Sequence, residues 1–259
     1  MTSGEALAGP SVAMILVLRC TDLNLTSGVR QPSTAHGPRP EKVPFSPLRH
    51  LRPEPLPTLH AMPVPVAIIP LKGFDQAKGR LDLPGSLRSS LAQAVAGHVI
   101  AACGDGGLKP LVVTGSEGLR EWAATRGADS LVEPPGGGLN AAAERGVTAA
   151  QRLEVPWLVV HGDLPLLDAS DLHPLLAPLS HDAVVIAPSR DGGTNLLGSS
   201  GQFPFAYGPG SFHRHLAAAA GRDLHVVVSP GTALEIDTLP DLRAATLLPA
   251  GAWLRRFLS

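Results

Sequence analysis

The chain has 259 residues, of which 44% are hydrophobic, 4% aromatic and 17% charged, and its formal net charge is -1. This apolar fraction is ample for an aliphatic core, and the near-neutral charge without a lysine or arginine stripe argues against a nucleic-acid partner. Two cysteines are too few for a disulfide framework, and the longest early apolar run, residues 12–18, is too short to cross a bilayer and lacks a basic leader, so we expect a cytoplasmic protein.

Residues 1–61 differ in composition from everything that follows. Proline, serine, threonine, arginine and histidine recur there without a helical or strand period. Such a segment buries too little apolar surface to offset its ordering entropy, so we predict a disordered, proline-rich extension. Met62 directly precedes the first strong strand, and one hypothesis is that it is the natural start of the protein. An intact-mass measurement on protein from the native gene decides this, since a mature chain carrying residues 1–61 contradicts it.

From residue 64 onward, strand and helix patterns alternate, which predicts one domain over 62–259. The alternation is typical of βαβ units and favours an α/β fold with a mostly parallel sheet and helices on both faces. A long glycine-rich loop is expected after residue 187. The predicted strands are 66–71, 111–114, 130–132, 157–161, 183–187 and 224–228. The predicted helices are 87–102, 119–125, 140–153, 172–176, 211–220 and 240–247.

The apolar run over 157–161 predicts a central strand, and Asp163 follows at its carboxyl end. In open α/β sheets that edge is where ligands bind, and a carboxylate there suits a divalent cation. The alternative is that Asp163 caps the turn that leads to Pro165.

The loop after the first strand of the domain contains three cations, Lys72, Lys78 and Arg80, separated by glycines. This set suits a triphosphate whose charge must be offset, although a solvated surface loop is the alternative for any one of them. Neither a Walker motif nor a dinucleotide-binding glycine motif is present, which disfavours a kinase or a dehydrogenase.

A second glycine-rich loop leads into the helix predicted at 140–153. Gly138 leaves backbone N–H groups free for an acceptor, and Asn140 offers a donor and an acceptor for a base or ribose. The alternative is a connector with Asn140 as the helix N-cap.

Two later loops carry hydroxyl groups beside glycines. Thr194 follows a pair of glycines, and Gly208 and Ser211 precede the helix predicted at 211–220. Main-chain donors and a hydroxyl at a helix start favour an anion such as phosphate or carboxylate. A tight turn and an ordinary serine N-cap are the alternatives.

Glu235 and Asp237 stand two residues apart, which on an extended strand places both side chains on one face. They can then converge with Asp163 on one cation, and the cationic first loop favours a magnesium site beside a triphosphate. Taken alone, the pair could instead cap the next helix through Asp237 or Thr238.

Several short motifs together resemble the phospholactate/phosphoenolpyruvate guanylyltransferases, over residues from about 64 to 247. They are Ile69-Pro70-Leu71-Lys72, Lys78-Gly79-Arg80-Leu81, His161-Gly162-Asp163-Leu164-Pro165, Asp191-Gly192-Gly193-Thr194-Asn195, Gly208-Pro209-Gly210-Ser211-Phe212 and Glu235-Ile236-Asp237-Thr238. The resemblance implies a Rossmann-like nucleotidyltransferase (GT-A-like) fold. It also implies transfer of GMP from GTP to the phosphate of a three-carbon acid, with release of pyrophosphate, in the biosynthesis of a deazaflavin coenzyme.

By the same resemblance, the site residues fall into four groups. The acceptor acid is held by Thr194, Gly208 and Ser211. Magnesium is held by Asp163, Glu235 and Asp237, where the family usually has aspartate in place of Glu235. The GTP phosphates meet Lys72, Lys78 and Arg80, and the nucleoside lies near Gly138 and Asn140.

Three further points are expectations. Phosphoenolpyruvate is favoured over 2-phospholactate because the composition is typical of a high-GC bacterium, and the product is expected to pass to a downstream transferase. The assembly state is open, a homodimer included. The alternatives are another nucleotidyltransferase of this fold with a sugar phosphate or pterin acceptor, and a non-catalytic phosphoacid-binding module.

Overall fold

The computed structural model describes residues 16–19, 63–75, 78–133, 136–181 and 183–258, and its centre is an eight-stranded sheet. The strands are β1 Leu16–Arg19, β2 Val66–Pro70, β3 Lys109–Thr114, β4 Asp129–Val132, β5 Trp157–Val160, β6 Val184–Pro188, β7 Thr194–Ser199 and β8 Leu224–Val228. The helices are α1 Gly85–Asp105, α2 Glu117–Ala124, α3 Gly138–Arg152, α4 Ala169–Leu176, α5 Ser211–Ala218, α6 Pro230–Ala233 and α7 Leu239–Thr246, with 3₁₀ turns at Ala177–His181 and Pro249–Phe257. The strand order is β1-β8-β6-β7-β5-β2-β3-β4.

Strands β5, β2 and β3 form a parallel part of the sheet whose residues are mostly apolar on both faces. All four residues of β5 are buried, and β5 runs parallel to β2, which in turn runs parallel to β3. Strands with both faces covered read as continuous apolar runs, which is why the sequence pattern predicted them. Their carboxyl ends therefore meet at one edge, where β2 ends at Pro70 and β5 at Val160.

The prediction of a long loop after residue 187 was wrong in part, because this segment contains β7. This strand runs antiparallel to both β5 and β6, so the sheet is mixed. Gly192, at a φ of 84°, lies in the turn that reverses the chain, and Gly193 donates its N–H to Ser189 Oγ at 2.8 Å. Every residue of β7 is buried, so the strand fills the space between β5 and β6. Its reversed direction brings Thr194 to the edge where β5 ends.

Helices cover both faces of the sheet, and the predicted α/β class is confirmed. On one face, α1, α2 and α4 bury leucines and valines against β2, β3 and β5. On the other face, α3 and α5 pack against the same strands together with β6 and β7. A third apolar cluster joins α1 to α7 and the last 3₁₀ turn.

Two further differences concern the ends of the predicted pattern. The Glu235–Asp237 stretch is an irregular connection between α6 and α7, not a strand, because it pairs with no strand of the described residues and α7 begins directly after it at its N-cap Thr238. Leu16–Arg19 forms β1 beside β8 inside the segment predicted to be disordered, and the rest of residues 1–61 lies outside the described residues. Within the described part of the chain, none of the helices has the length and apolarity needed to cross a membrane.

Candidate active site

A cleft with a cavity of about 610 Å³ opens at the carboxyl edge of β2 and β5. It is lined by every site residue that the sequence predicted except Asn140: Lys72, Lys78, Arg80, Gly138, Asp163, Thr194, Gly208, Ser211, Glu235 and Asp237. Ligands in open α/β folds bind in this position, outside the carboxyl ends of the strands. The fold therefore gathers segments that are far apart along the chain into one cavity.

Lys78 connects the two aspartates that the sequence assigned to one cation. Its Nζ lies 2.8 Å from Asp163 Oδ2 and 3.3 Å from Asp237 Oδ1, and only 9% of its side chain is exposed. Asp163 is therefore not a turn cap, since one oxygen meets Lys78 and the other, Oδ1, is buried without a partner. Both carboxylates lie within reach of one positive charge, as a shared cation requires.

The ion pair keeps both groups charged. Burial alone would lower the pKa of Lys78, but the charge and hydrogen bond of Asp163, with Asp237 adding to them, raise it above its ordinary value. Burial likewise opposes ionisation of Asp163, yet the neighbouring Lys78 and His161 hold its pKa below the usual value. A buried charge survives in this way only when it is paired.

Glu235 lies in the opposite situation. Burial raises its pKa to about 8, and the charges of Asp163, Asp191 and Asp237 add to this shift, with Lys78 opposing it. One ligand atom from each of His161, Asp163 and Glu235 lies within 4.8 Å of the others. Crowded oxygen and nitrogen donors with an unpartnered Asp163 oxygen fit a divalent cation, whose charge would favour ionised Glu235. Asp237 is outside this group and meets Lys78 instead.

Neither carboxylate of the 235–237 connection caps a helix. The N-cap of α7 is Thr238, whose Oγ1 accepts a hydrogen bond from Asp241 N–H and whose backbone N–H donates one in return to Asp241 Oδ2, which forms a capping box. The backbone N–H of Ile236 donates to the carbonyl oxygen of Asp163 at 3.2 Å. This bond holds Glu235 and Asp237 beside Asp163.

The same cavity is lined by buried hydroxyl groups of β7 and α5, which lie together. Ser211 Oγ lies 3.3 Å from Thr194 Oγ1, which lies 2.9 Å from His215 Nδ1. The second ring nitrogen of His215, Nε2, accepts the N–H of Ala206 at 3.0 Å. Burial, with Arg214 and His161 adding to it, lowers the pKa of His215 to about 4. The ring is therefore neutral and donates from Nδ1 to Thr194, leaving the Thr194 hydroxyl hydrogen for another acceptor.

The start of α5 lies beside the same hydroxyl groups. Gly210, in the left-handed region at a φ of 69°, is the N-cap of α5, and no side chain in the described part of the chain caps this helix. Ser211 is thus the first helical residue and not the N-cap, and its hydroxyl is directed to Thr194. The N–H groups of Ser211 and Phe212 donate to the carbonyl oxygens of Gly208 and Gly192, at 3.0 and 3.2 Å, so the hydroxyl groups are what this part of the cavity offers an anion.

Asn140 has a different position from the one predicted. α3 begins at Gly138, so Asn140 lies inside the first turn and is not the N-cap. Its Oδ1 accepts the backbone N–H of Tyr207 at 2.8 Å, and it does not line the cavity. Asn140 therefore holds the 203–210 segment against α3, while Gly138, at a φ of 68°, lines the cavity beside Leu139.

The sequence analysis left two histidines of the site, His161 and His215, without a specific role although a signal was present for each. His161 belongs to the His161-Gly162-Asp163-Leu164-Pro165 motif and stands two residues before Asp163 at a strand end. His215 stands four residues after Ser211 in a helix, which places both on a shared face.

The chain is similar in sequence to curated guanylyltransferases and in fold to a solved transferase structure. A phosphoenolpyruvate guanylyltransferase of Conexibacter woesei is 39% identical over 69% of this chain and 85% of its own. A 3-phospho-D-glycerate guanylyltransferase of Phenylobacterium zucineum is 35% identical over 71% of this chain and 91% of its own. A crystal structure from Desulfovibrio desulfuricans G20, described as a nucleotide-diphospho-sugar transferase, shares the fold with a TM-score of 0.57, at 14% identity over 74% of this chain and 94% of that one.

The match extends over the whole described domain that carries the cleft. Residues 65–259 match the family model described as "Guanylyl transferase CofC like". This range contains each residue that lines the cavity, from Pro70 to Asp237. The chain therefore belongs to the CofC-like guanylyltransferase family of nucleotidyltransferases.

Proposed function

We propose that this protein transfers GMP from GTP to the phosphate of a three-carbon acid, with phosphoenolpyruvate as the acceptor and pyrophosphate as the second product. The observation that carries the proposal is that one cavity is lined both by cations and carboxylates, among them Lys78, Asp163 and Glu235, and by the hydroxyl groups of Thr194 and Ser211. Family membership supplies the reaction class, and the relatives named for phosphoenolpyruvate and 3-phospho-D-glycerate support a small phosphorylated acid as the acceptor.

The reaction needs alignment more than a protein nucleophile. An oxygen of the acceptor phosphate attacks the α-phosphorus of GTP, and the bond from that phosphorus to the oxygen bridging to the β-phosphorus breaks, so that pyrophosphate leaves. The attacking phosphate is already ionised at neutral pH, so no general base is required. The protein contributes by aligning the two phosphates and by stabilising the charge that moves onto pyrophosphate.

The residues that line the cleft suit these two tasks. Thr194 and Ser211 present hydroxyl groups to the cavity, and we assign them, with Gly208, to the phosphate and carboxylate of the acceptor. Lys72 and Arg80 are exposed cations at the mouth of the same cavity, and we assign them to the GTP phosphates, with the nucleoside beside Gly138.

A divalent cation, Mg²⁺ in the simplest form of the proposal, belongs beside Asp163 and Glu235. Asp237 contributes indirectly, because its carboxylate pairs with Lys78. When bound, it would neutralise phosphate charge at the reacting centre. Lys78 itself keeps Asp163 ionised and correctly placed in the absence of a cation. We extend the proposal to a cytoplasmic enzyme of deazaflavin coenzyme biosynthesis, whose product a downstream transferase consumes.

Pyrophosphate release is the direct test of this function. The purified protein is assayed with GTP, CTP and ATP, each against phosphoenolpyruvate, 2-phospholactate, 3-phosphoglycerate and a sugar 1-phosphate. We expect release with GTP and phosphoenolpyruvate and none with the sugar phosphate. Release with 3-phosphoglycerate instead is the second candidate, which the Phenylobacterium relative favours. Binding of a phosphoacid without turnover by any nucleotide would contradict an enzyme.

A further inference from the structure

His161 is held firmly at the edge of the cleft, and its ring nitrogen has no partner. Its backbone N–H donates to the carbonyl oxygen of Asn195 at 3.0 Å, which fixes its position between β5 and β7. Its ring lies 5.4 Å from the ring of Tyr207. Nε2 is buried and makes no hydrogen bond within the described part of the chain. A buried polar atom without a hydrogen-bond partner is destabilising, so the position calls for a ligand.

The second unpartnered atom lies close by. Asp163 commits Oδ2 to Lys78, while Oδ1 is buried without a hydrogen bond. Because Oδ2 pairs with the Lys78 ammonium group, the Oδ1 of this carboxylate can only accept, so it requires a positively charged or hydrogen-bearing group. Nε2 of His161 and Oδ1 of Asp163 are therefore both buried polar atoms without a hydrogen-bond partner in the described part of the chain.

A third donor completes the group. Ligand atoms of His161, Asp163 and Glu235 lie within 4.8 Å of one another, and all three residues line the cavity. The Nζ of Lys78 pairs with Oδ2 of Asp163, so Lys78 does not provide the partner that Oδ1 of Asp163 and Nε2 of His161 lack. A single cation in contact with all three would satisfy both orphaned atoms and compensate the burial of Glu235.

We propose that His161 is a ligand of this cation site beside Asp163 and Glu235, and that the site consequently binds Mn²⁺ more tightly than Mg²⁺. The inference rests on the proposed function and assigns the class of metal that it uses. Mg²⁺ is a hard ion that takes oxygen ligands, whereas an imidazole nitrogen favours first-row transition metals. A site of oxygen atoms alone would not distinguish the two ions in this way.

Mn²⁺ itself is the probe, since its binding and its ligand atoms are both measured by electron paramagnetic resonance. His161→Phe removes the nitrogen and keeps a ring beside Tyr207. The matched control is His98→Phe, because His98 also has an unpartnered buried Nε2 and a ring neighbour, Trp253 at 5.4 Å, but lies outside the cavity. Each variant is titrated with Mn²⁺, with and without a non-hydrolysable GTP analogue, and examined by pulsed measurements that detect directly coordinated nitrogen.

We expect nitrogen modulation in the wild type and in His98→Phe, and its loss in His161→Phe together with a fall in Mn²⁺ affinity of about tenfold or more. Mg²⁺ affinity, measured by competition, should fall less. If His161→Phe does not fold, His161→Gln supplies an oxygen in place of nitrogen, and the modulation should disappear while Mn²⁺ still binds.

The other outcomes separate this inference from the proposed function. Mn²⁺ bound without nitrogen modulation, with equal affinity in the wild type and His161→Phe, overturns the role of His161 and leaves an oxygen-only site standing. Absence of Mn²⁺ and Mg²⁺ binding in every condition overturns the cation site as a whole. Loss of Mn²⁺ binding in Asp163→Asn with intact nitrogen modulation in the wild type supports both.

Discussion

Asp163 is the residue on which several interactions of the cleft converge. It pairs with Lys78, accepts the backbone of Ile236 through its carbonyl oxygen, and belongs to the group of donors with Glu235. Its side chain is still 26% exposed, so part of it is open to a ligand in the cavity. Replacing Asp163 with asparagine, which is neutral and has nearly the same shape, therefore tests the effect of the carboxylate charge alone.

Asp163→Asn is expected to reduce guanylyl transfer by about 100-fold or more, because loss of a carboxylate at a phosphoryl-transfer centre removes several kcal/mol of charge stabilisation. Turnover is measured as pyrophosphate release, and folding by the thermal midpoint. Asp129→Asn is the matched control, since Asp129 pairs with Lys109 on the exposed surface. Near-normal turnover by the variant would remove Asp163 from the chemistry.

The protonation of Glu235 predicts a pH dependence of stability. Its pKa in the folded protein, about 8, lies above the ordinary value of 4.5, so the folded state binds more protons than the unfolded state between these values. The free energy of unfolding of the ligand-free protein should therefore fall as pH rises through this window and level off above pH 8.

Glu235→Gln should flatten this fall, because the glutamine needs no proton to be neutral. The measurement is urea denaturation of both proteins across the window, with exposed Glu117→Gln as the control. A profile that Glu235→Gln leaves unchanged would mean that Glu235 is already ionised in the folded protein.

At the scale of elements, α3 and the 203–210 segment are joined by one side chain. Asn140→Ala leaves the N–H of Tyr207 without its partner, which should lower the free energy of unfolding by about 1 kcal/mol. The acceptor should also bind more weakly, because this segment leads to Gly208 and Ser211, whereas the KM for GTP should change less. Steady-state kinetics with each substrate varied in turn check this, and an increase confined to the KM for GTP would place Asn140 at the nucleoside after all.

The parallel core, with its helices, was predictable because burial on both faces leaves a long apolar run, as in β5. The sequence analysis missed β7 because the first residues of this strand belong to a glycine-containing motif that is typical of a loop. Two glycines between apolar runs are, however, also typical of a β-hairpin. The 235–237 connection has an alternating pattern but lacks a strand partner, and a pattern cannot supply one. Contacts across the chain, such as that between Lys78 and Asp237, depend on the assembled fold and leave no local trace.

At the scale of the whole molecule, β1, the described part of the first 61 residues, lies at the edge of the sheet and not at the cleft. Every residue that lines the cavity lies between Pro70 and Asp237, whereas β1 pairs with β8 at the sheet edge. A chain beginning at Met62 should retain catalytic activity and expose the edge of β8 to association.

This is measured by comparing pyrophosphate release and light scattering of the shortened and full-length proteins. Loss of activity with retained folding would give residues 1–61 a part in catalysis. That the natural protein begins at Met62 stays a prediction, which the intact-mass measurement tests.

The reversed direction of β7 has a consequence for how this enzyme could be redesigned. Thr194 sits in a fully buried strand between two others, whereas Lys72 and Arg80 stand on an exposed loop. Positions fixed by neighbouring strands tolerate little displacement, while surface loops accept exchange. Grafting a foreign loop could thus alter the nucleotide that is used, but a new acceptor would require repacking of the interior.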